Sequence, residues 1–86
     1  MPSKDKQWVV YMVYCADNSI YTGITNDLEA RLRTHNSGKG AKYTKTRLPV
    51  TLAAYWPCSD KSEASKLEYK HKQLTRAEKI KLISNG

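Results

Sequence analysis

Residues 8–15 constrain the fold of this chain more than any other stretch. They read Trp-Val-Val-Tyr-Met-Val-Tyr-Cys, so that apolar side chains occupy both alternating sets of positions. Side chains alternate between the two faces of a strand, and a strand that is apolar on both faces is usually covered on both sides. We therefore expect residues 8–15 to form the central strand of a small sheet.

A polar turn and a second short apolar run come next, a pattern typical of a β-hairpin. A two-residue turn would place Tyr11 and Tyr21 on opposite faces of the sheet. A three-residue loop, residues 16–18 with Asn18 in the left-handed conformation, would pair Tyr11 with Gly23 and set the two tyrosines side by side on one face. Asparagine tolerates that conformation better than most residues. The sequence permits both registers.

The rest of the chain predicts a third strand over residues 50–56 and about three helices. The helix caps that we predict are Asn26 with Glu29, Ser59 or Asp60 with Glu63, and Thr75 with Glu78. The first helix should end near Asn36. We therefore expect one α+β domain over residues 8–86, with a three-stranded antiparallel sheet, its first strand central, flanked by helices. Residues 1–7 are charged and polar and are expected to form a flexible tail.

The chain is strongly basic, with 15 Lys and Arg against 8 Asp and Glu and a formal net charge of +7. This balance favours a phosphate backbone as the partner. Basic residues are concentrated in residues 39–47, next to glycine, and the plain alternative is a solvated loop. We expect this basic segment to contact nucleic acid through Lys39, Lys42, Tyr43, Lys45 and Arg47.

Anionic membrane is a weaker candidate partner, because no apolar run approaches the roughly 20 residues needed to span a bilayer. The polar N-terminus does not resemble a secretory signal, which favours a cytoplasmic protein. Cys15 and Cys58 do not form a metal motif at their separation and are expected to be reduced.

Several spacings resemble a known family. Tyr11 lies ten residues before Tyr21, Thr22 and Gly23, Arg31 lies ten residues after Tyr21, and Glu68 falls on the helix after the third strand. Together with stretches such as His-Asn-Ser-Gly-Lys-Gly-Ala-Lys-Tyr-Thr, they resemble the GIY-YIG nuclease domain, and most of all its small stand-alone bacterial members. The resemblance covers roughly residues 8–83.

The chain departs from the family pattern at three places. The first motif lacks its glycine, being Val9-Val10-Tyr11, and Thr22 replaces an isoleucine in the second. Many active members carry a late asparagine after the glutamate, whereas the only candidate here is Asn85, one residue from the C-terminus.

The resemblance implies a metal-dependent endonuclease that hydrolyses phosphodiester bonds in DNA, in repair or recombination. It implies one divalent cation, Mg²⁺ or Mn²⁺, held chiefly by Glu68 and weakly without DNA. Arg31 would grip the scissile phosphate, Tyr11 or Tyr21 would orient or deprotonate the water, and His35 would shuttle the proton or bind phosphate. Gly23 would allow backbone and substrate to approach closely. No small-molecule cofactor is expected.

Two other functions stay open. One is a nucleic-acid-binding module of the same fold that does not cut, and the other is an adaptor of a larger repair complex, with a protein partner or a homodimer. The intact tyrosines, Arg31 and Glu68 favour the nuclease, whereas the uncertain late asparagine favours the binding module. The simplest interpretation of Glu68 alone is a surface pair with Lys72, and that of His71 is a core histidine.

Overall fold

The chain folds around a three-stranded antiparallel sheet with its first strand in the centre, as a computed structural model of residues 7–85 shows. The elements are β1 (Val9–Tyr14), β2 (Ile20–Thr25), α1 (Leu28–Asn36), α2 (Lys42–Lys45), β3 (Thr51–Pro57), α3 (Lys61–Lys72) and α4 (Arg76–Asn85). The α+β class and the central first strand are as predicted. The expected tail lies, except for Gln7, outside the described residues.

The hairpin adopts the register that places the two tyrosines together. Tyr11 pairs with Gly23 and Val13 pairs with Tyr21. Asn18 is left-handed, with φ of 68°, and its N–H donates to the Cys15 carbonyl at 2.9 Å. The loop therefore has three residues, because a two-residue turn would have shifted every pair in the ladder.

The central strand buries side chains on both faces. On one face Tyr11 and Val13 pack with Leu28 and Leu32 of α1. On the other face Val10 belongs to a cluster with Ala64 and Leu67 of α3. The apolar character predicted for both faces of β1 thus corresponds to one helix layer on each side of the sheet.

The start of α1 differs from the prediction. Asp27, rather than Asn26, is the N-cap, and its carboxylate accepts from the Ala30 N–H at 3.2 Å. Thr25 fixes this position, because its hydroxyl accepts from the Asp27 N–H at 3.1 Å. Glu29 consequently does not close a capping box and instead lies 3.4 Å from the exposed Arg33 guanidinium.

The basic segment also differs from the expected loop, because it contains the short helix α2. The Ala41 carbonyl accepts from the Thr44 N–H at 3.1 Å and from the Lys45 N–H at 3.0 Å. The Thr44 hydroxyl donates to the same carbonyl at 3.0 Å. These bonds close one helical turn around Thr44, whose side chain is fully buried.

Both later caps are confirmed. Asp60 accepts from the Glu63 N–H at 2.8 Å, and Thr75 and Glu78 form a reciprocal capping box at the start of α4. His71 is buried as a core histidine, with its ring 4.6 Å from the Trp56 ring between centroids. Within residues 7–85, no helix combines the length and apolar character needed to cross a membrane.

Candidate active site

A buried contact between Tyr11 and His35 forms the centre of the candidate site. The Tyr11 Oη lies 2.7 Å from His35 Nε2, and both side chains are 0% exposed. The contact is possible because Leu28 and Leu32 pack α1 against the Tyr11 face of the sheet. That packing directs His35, near the end of the helix, toward the middle of β1.

Arg31 extends this contact toward the surface. It lies one helical turn before His35, and its Nε–H donates to the Tyr11 Oη at 3.4 Å. The side chain is half-buried, and the terminal guanidinium nitrogens make no hydrogen bond within residues 7–85. Tyr11 therefore holds the base of the guanidinium group and leaves its outer edge available for an anion.

Tyr21 lies beside Tyr11, with 6.4 Å between ring centroids. Its ring also meets the His35 ring edge-on at 5.4 Å and stacks on Tyr43 at 5.9 Å. Unlike Tyr11, Tyr21 is only half-buried. The structure thus brings the predicted tyrosine pair together and distinguishes a buried member from a more accessible one.

Two glycines create the space that the cluster needs. A Cβ on Gly23 would lie 2.7 Å from the Tyr11 Oη. A Cβ on Gly40 would collide with the His35 imidazole and lie 2.8 Å from the His35 Cα. Gly23 was expected to allow backbone and substrate to approach closely, and in this structure the Tyr11 phenol lies in the space beside it. Gly40 was not predicted.

Thr44 is a second residue that the sequence did not reveal. Its Oγ1 lies 2.8 Å from His35 Nδ1, in a contact between two fully buried side chains. The only signal was a threonine within the basic segment, because α2 is too short to be predicted from periodicity. His35 therefore has a partner on each ring nitrogen, Thr44 on one and Tyr11 on the other.

Burial sets the ionisation of the cluster. Burial lowers the pKa of His35, and the Arg31 charge lowers it further, so the neutral imidazole is favoured. Burial raises the pKa of Tyr11, although the hydrogen bond from Arg31 opposes the rise. Full burial also removes His35 from direct contact with phosphate, which argues against the anion-binding role predicted for it.

Glu68 lies on α3, which packs against the face of the sheet opposite α1. After burial, which is the main cause, the negative charge of Glu68 makes a small further contribution to the raised pKa of Tyr11. The side chain is 22% exposed, and its Oε2 lies 3.3 Å from Lys72 Nζ. The expected surface pair with Lys72 is present, and it does not exclude a site role because Lys72 itself is 50% exposed.

The basic segment divides into outward and inward side chains. Lys39, Lys42 and Lys45 are exposed. Arg47 is engaged internally, because its guanidinium stacks 4.0 Å from the Tyr43 ring centroid and its Nε lies 3.0 Å from the Asp17 carboxylate. The three lysines thus have no ion pair within residues 7–85, while Arg47 ties the segment to the hairpin loop.

Two further features bear on function. Residues 7–85 hold no cluster of three or more His, Cys, Asp or Glu side chains suited to a metal ion. Asn85 is exposed at the end of α4. Any metal bound by these residues would therefore depend on few protein ligands.

Comparison with known protein families agrees with this geometry. The model of the GIY-YIG catalytic domain matches residues 7–81, which include every member of the cluster. The chain belongs to the GIY-YIG family. This nuclease family is the one that the motif spacings indicated.

Small bacterial GIY-YIG proteins share most of the chain. A UPF0213 protein of Staphylococcus haemolyticus is 57% identical over 86% of this chain and 90% of its own length. The solution NMR structure of a UPF0213 protein of Bacillus halodurans is 46% identical, covers 91% of this chain and 83% of its own, and has a TM-score of 0.58. A second NMR structure, of a protein from E. faecalis, is 38% identical with a TM-score of 0.64, covering 94% of this chain and 86% of its own.

Proposed function

We propose that this protein is a metal-dependent endonuclease that hydrolyses phosphodiester bonds in DNA. The observation that supports the proposal most directly is the position of the Arg31 guanidinium. Its Nε–H donates to the hydroxyl of the buried Tyr11, and its outer edge is open. Tyr21 lies beside the same cluster, and the charge of Glu68 acts on Tyr11. Membership of a nuclease family makes a phosphodiester the natural anion for this site.

Arg31 would bind the scissile phosphate. Its planar fork of donors matches two phosphoryl oxygens, and charge that develops on them in the transition state would strengthen the contact. Because Tyr11 already fixes Nε, the guanidinium loses less freedom when the phosphate binds. A preoriented donor of this kind lowers the barrier rather than merely tightening substrate binding.

Tyr21 is the better candidate for orienting the attacking water. Tyr11 is fully buried and already contacts His35 and Arg31, so its hydroxyl is not open to solvent. The Tyr21 hydroxyl makes no hydrogen bond within residues 7–85, and the residue is half-buried. Tyr11 and His35 then serve as positioning residues for Arg31.

A single Mg²⁺ or Mn²⁺ fits the donor set at Glu68. Mg²⁺ commonly binds through one or two carboxylates while keeping several waters and substrate phosphate oxygens. Glu68 supplies one partly exposed carboxylate, and the flexible Lys72 could move away from it. When bound there, the cation would neutralise phosphoryl charge and acidify its waters. With one protein ligand, we expect weak metal binding in the absence of DNA.

The exposed lysines of the basic segment would hold the DNA backbone. Lys42 and Lys45 project from α2, which packs against His35 through Thr44, and Lys39 precedes that helix. Phosphate contacts of this kind fix position and carry no sequence information. The substrate would therefore be recognised by shape, as expected for DNA intermediates of repair or recombination.

A non-cutting module that binds nucleic acid is the second candidate. The exposed position of Asn85, at the end of α4, favours it, because no other residue stands for the family's late asparagine. Such a module would bind through the same lysines. It would leave DNA whole with or without metal.

Incubation with a panel of duplex, nicked, flapped and branched DNA, in Mg²⁺, Mn²⁺ or EDTA, separates the two candidates. The proposal predicts cleavage with either metal and none with EDTA, together with a large loss in Glu68→Ala. Glu29→Ala is the matched control, since Glu29 is an exposed carboxylate on α1. Equal cleavage by wild type and Glu68→Ala, or binding without any cleavage across the panel, would refute the nuclease.

A further inference from the structure

A buried chain of hydrogen bonds connects the basic segment to the proposed phosphate-binding arginine. It runs from Thr44 Oγ1 to His35 Nδ1 at 2.8 Å, from His35 Nε2 to the Tyr11 Oη at 2.7 Å, and from that oxygen to Arg31 Nε at 3.4 Å. Three of its four side chains are 0% exposed. Solvent therefore cannot substitute for a missing partner at these positions.

Which group donates and which accepts in each of these hydrogen bonds follows from the two ends of the hydrogen-bond chain. Arg31 Nε carries a hydrogen and can only donate, so the Tyr11 oxygen accepts there and its own hydrogen is free to point at His35. At the other end, the Thr44 hydroxyl donates to the Ala41 carbonyl, so its oxygen accepts from His35 Nδ1. Both ends require the same neutral tautomer of His35, with the proton on Nδ1.

We propose that Thr44 is a positioning residue of this site, which holds His35 in the Nδ1–H tautomer so that Tyr11 donates to Nε2 and accepts from Arg31. The role in cleavage rests on the proposed function. In such a chain each bond polarises the next, and donation to His35 makes the Tyr11 oxygen a stronger acceptor for Arg31. The hydrogen bond that one ring nitrogen of a histidine makes determines which of the two nitrogens carries the proton.

Gly40 supports this role because it also lies against the Nδ1 edge of the His35 ring. Any side chain at Gly40 would collide with the His35 imidazole, so the backbone of the segment must pass directly against it. The segment that leads into α2 therefore approaches His35 twice, at Gly40 and at Thr44. The same segment presents Lys42 and Lys45 to solvent. The segment expected to bind DNA therefore also orients His35, which is linked to Arg31 through Tyr11.

The test compares Thr44→Val, which keeps the shape but loses the hydroxyl, with Thr44→Ser, which keeps the hydroxyl. Thr51→Val, at an exposed threonine of β3, is the matched control. Long-range ¹H–¹⁵N NMR of the histidine rings at pH 7.5 reports the tautomer of His35. Exchange of the Arg31 Nε–H with water reports its bond to Tyr11.

We expect wild type, Thr44→Ser and Thr51→Val to show the Nδ1–H tautomer and a protected Arg31 Nε–H. Thr44→Val should show a mixture of tautomers, faster exchange at Arg31 and nicking slowed about tenfold, the scale of one hydrogen bond. An Nε2–H tautomer in wild type would overturn the proposal, even if Thr44→Val does not fold. So would an unchanged His35 and Arg31 in a folded Thr44→Val.

The NMR readouts need no cleavage, which separates this inference from the proposed function. If no variant cuts DNA but the tautomer and the Arg31 signal respond as expected, the positioning role stands and the nuclease proposal fails. If wild type cuts DNA but its His35 carries the proton on Nε2, the positioning role fails and the nuclease proposal stands.

Discussion

Tyr11 and His35 face each other across the interface between β1 and α1, with 2.7 Å between the phenol oxygen and Nε2 and with no exposure of either side chain. This contact joins the central strand to the helix that carries Arg31. Tyr21 lies beside it but remains half-buried. The two tyrosines of the family motif therefore occupy different environments, and they should respond differently to loss of the hydroxyl.

Tyr11→Phe should destabilise the fold, whereas Tyr21→Phe should not. Loss of the Tyr11 hydroxyl leaves buried His35 Nε2 without its partner, a cost of about 1–3 kcal/mol in unfolding free energy. Tyr21→Phe should keep wild-type stability and slow DNA cleavage by about 10²-fold, the scale of a misplaced reacting group when an orienting contact is lost. Chemical denaturation and single-turnover nicking measure the two effects. Equal stability of the two variants would contradict the stabilising role of the Tyr11 hydroxyl.

The sequence predicted the placement of the two tyrosines except for one feature, the length of the hairpin turn. The apolar residues on both faces of residues 8–15 predicted the central strand, but the register depended on whether Asn18 is left-handed. Its φ of 68° decides for the three-residue loop. Asn18 tolerates this conformation, but the sequence pattern does not show which of the two turns has the lower free energy. Both registers were therefore open.

Thr44 and Gly40 could not be predicted because they depend on tertiary packing. An isolated helix of four residues, such as α2, is not stable in water, and so leaves no periodic signal. Its position follows from the burial of Thr44 against His35. The shift of the α1 cap from Asn26 to Asp27 is a smaller case, because two adjacent residues could both cap and the Thr25 hydroxyl selected one.

The stability of the protein should fall as pH decreases from 7 to 5.5. Burial lowers the pKa of both His35 and His71 in the folded state, and Arg31 and Lys79 respectively add to the effect. The unfolded chain therefore binds more protons than the folded one below the ordinary histidine pKa of about 6.5. Stability is complete above that value and is lost as pH falls toward the lowered pKa values.

His71→Phe should reduce this pH dependence without affecting cleavage. His71 Nδ1 is buried and lacks a hydrogen-bond partner among residues 7–85, so a phenyl ring removes an unsatisfied group and keeps the packing against Trp56. Melting temperatures at pH 7.5 and 5.5 measure the effect. The fall between them should be smaller than in wild type, and an equal or larger fall would contradict the lowered pKa of His71.

Lys42 and Lys45 should contribute to DNA affinity through phosphate contacts alone. Replacing both with alanine should weaken binding to all sequences alike and reduce the slope of log K against log salt by about 0.9 for each phosphate that is no longer neutralised. Fluorescence anisotropy with labelled duplexes at several salt concentrations measures the slope. Lys81→Ala, an exposed lysine of α4, serves as the control. An unchanged slope in the double variant would show that Lys42 and Lys45 do not contact the DNA phosphates.

The central claim is that Arg31, held by Tyr11 and His35, stabilises the phosphate during cleavage. Arg33 offers a matched comparison, since it is an arginine two positions away on the same helix, exposed and ion-paired with Glu29. The decisive measurement is single-turnover nicking of supercoiled DNA in Mg²⁺ by Arg31→Ala and Arg33→Ala, with folding checked by circular dichroism. We expect Arg31→Ala to be slower by about 10²–10³-fold, the scale of one preorganised charge-stabilising donor, and Arg33→Ala to match wild type. Equal rates for Arg31→Ala and wild type would contradict the claim.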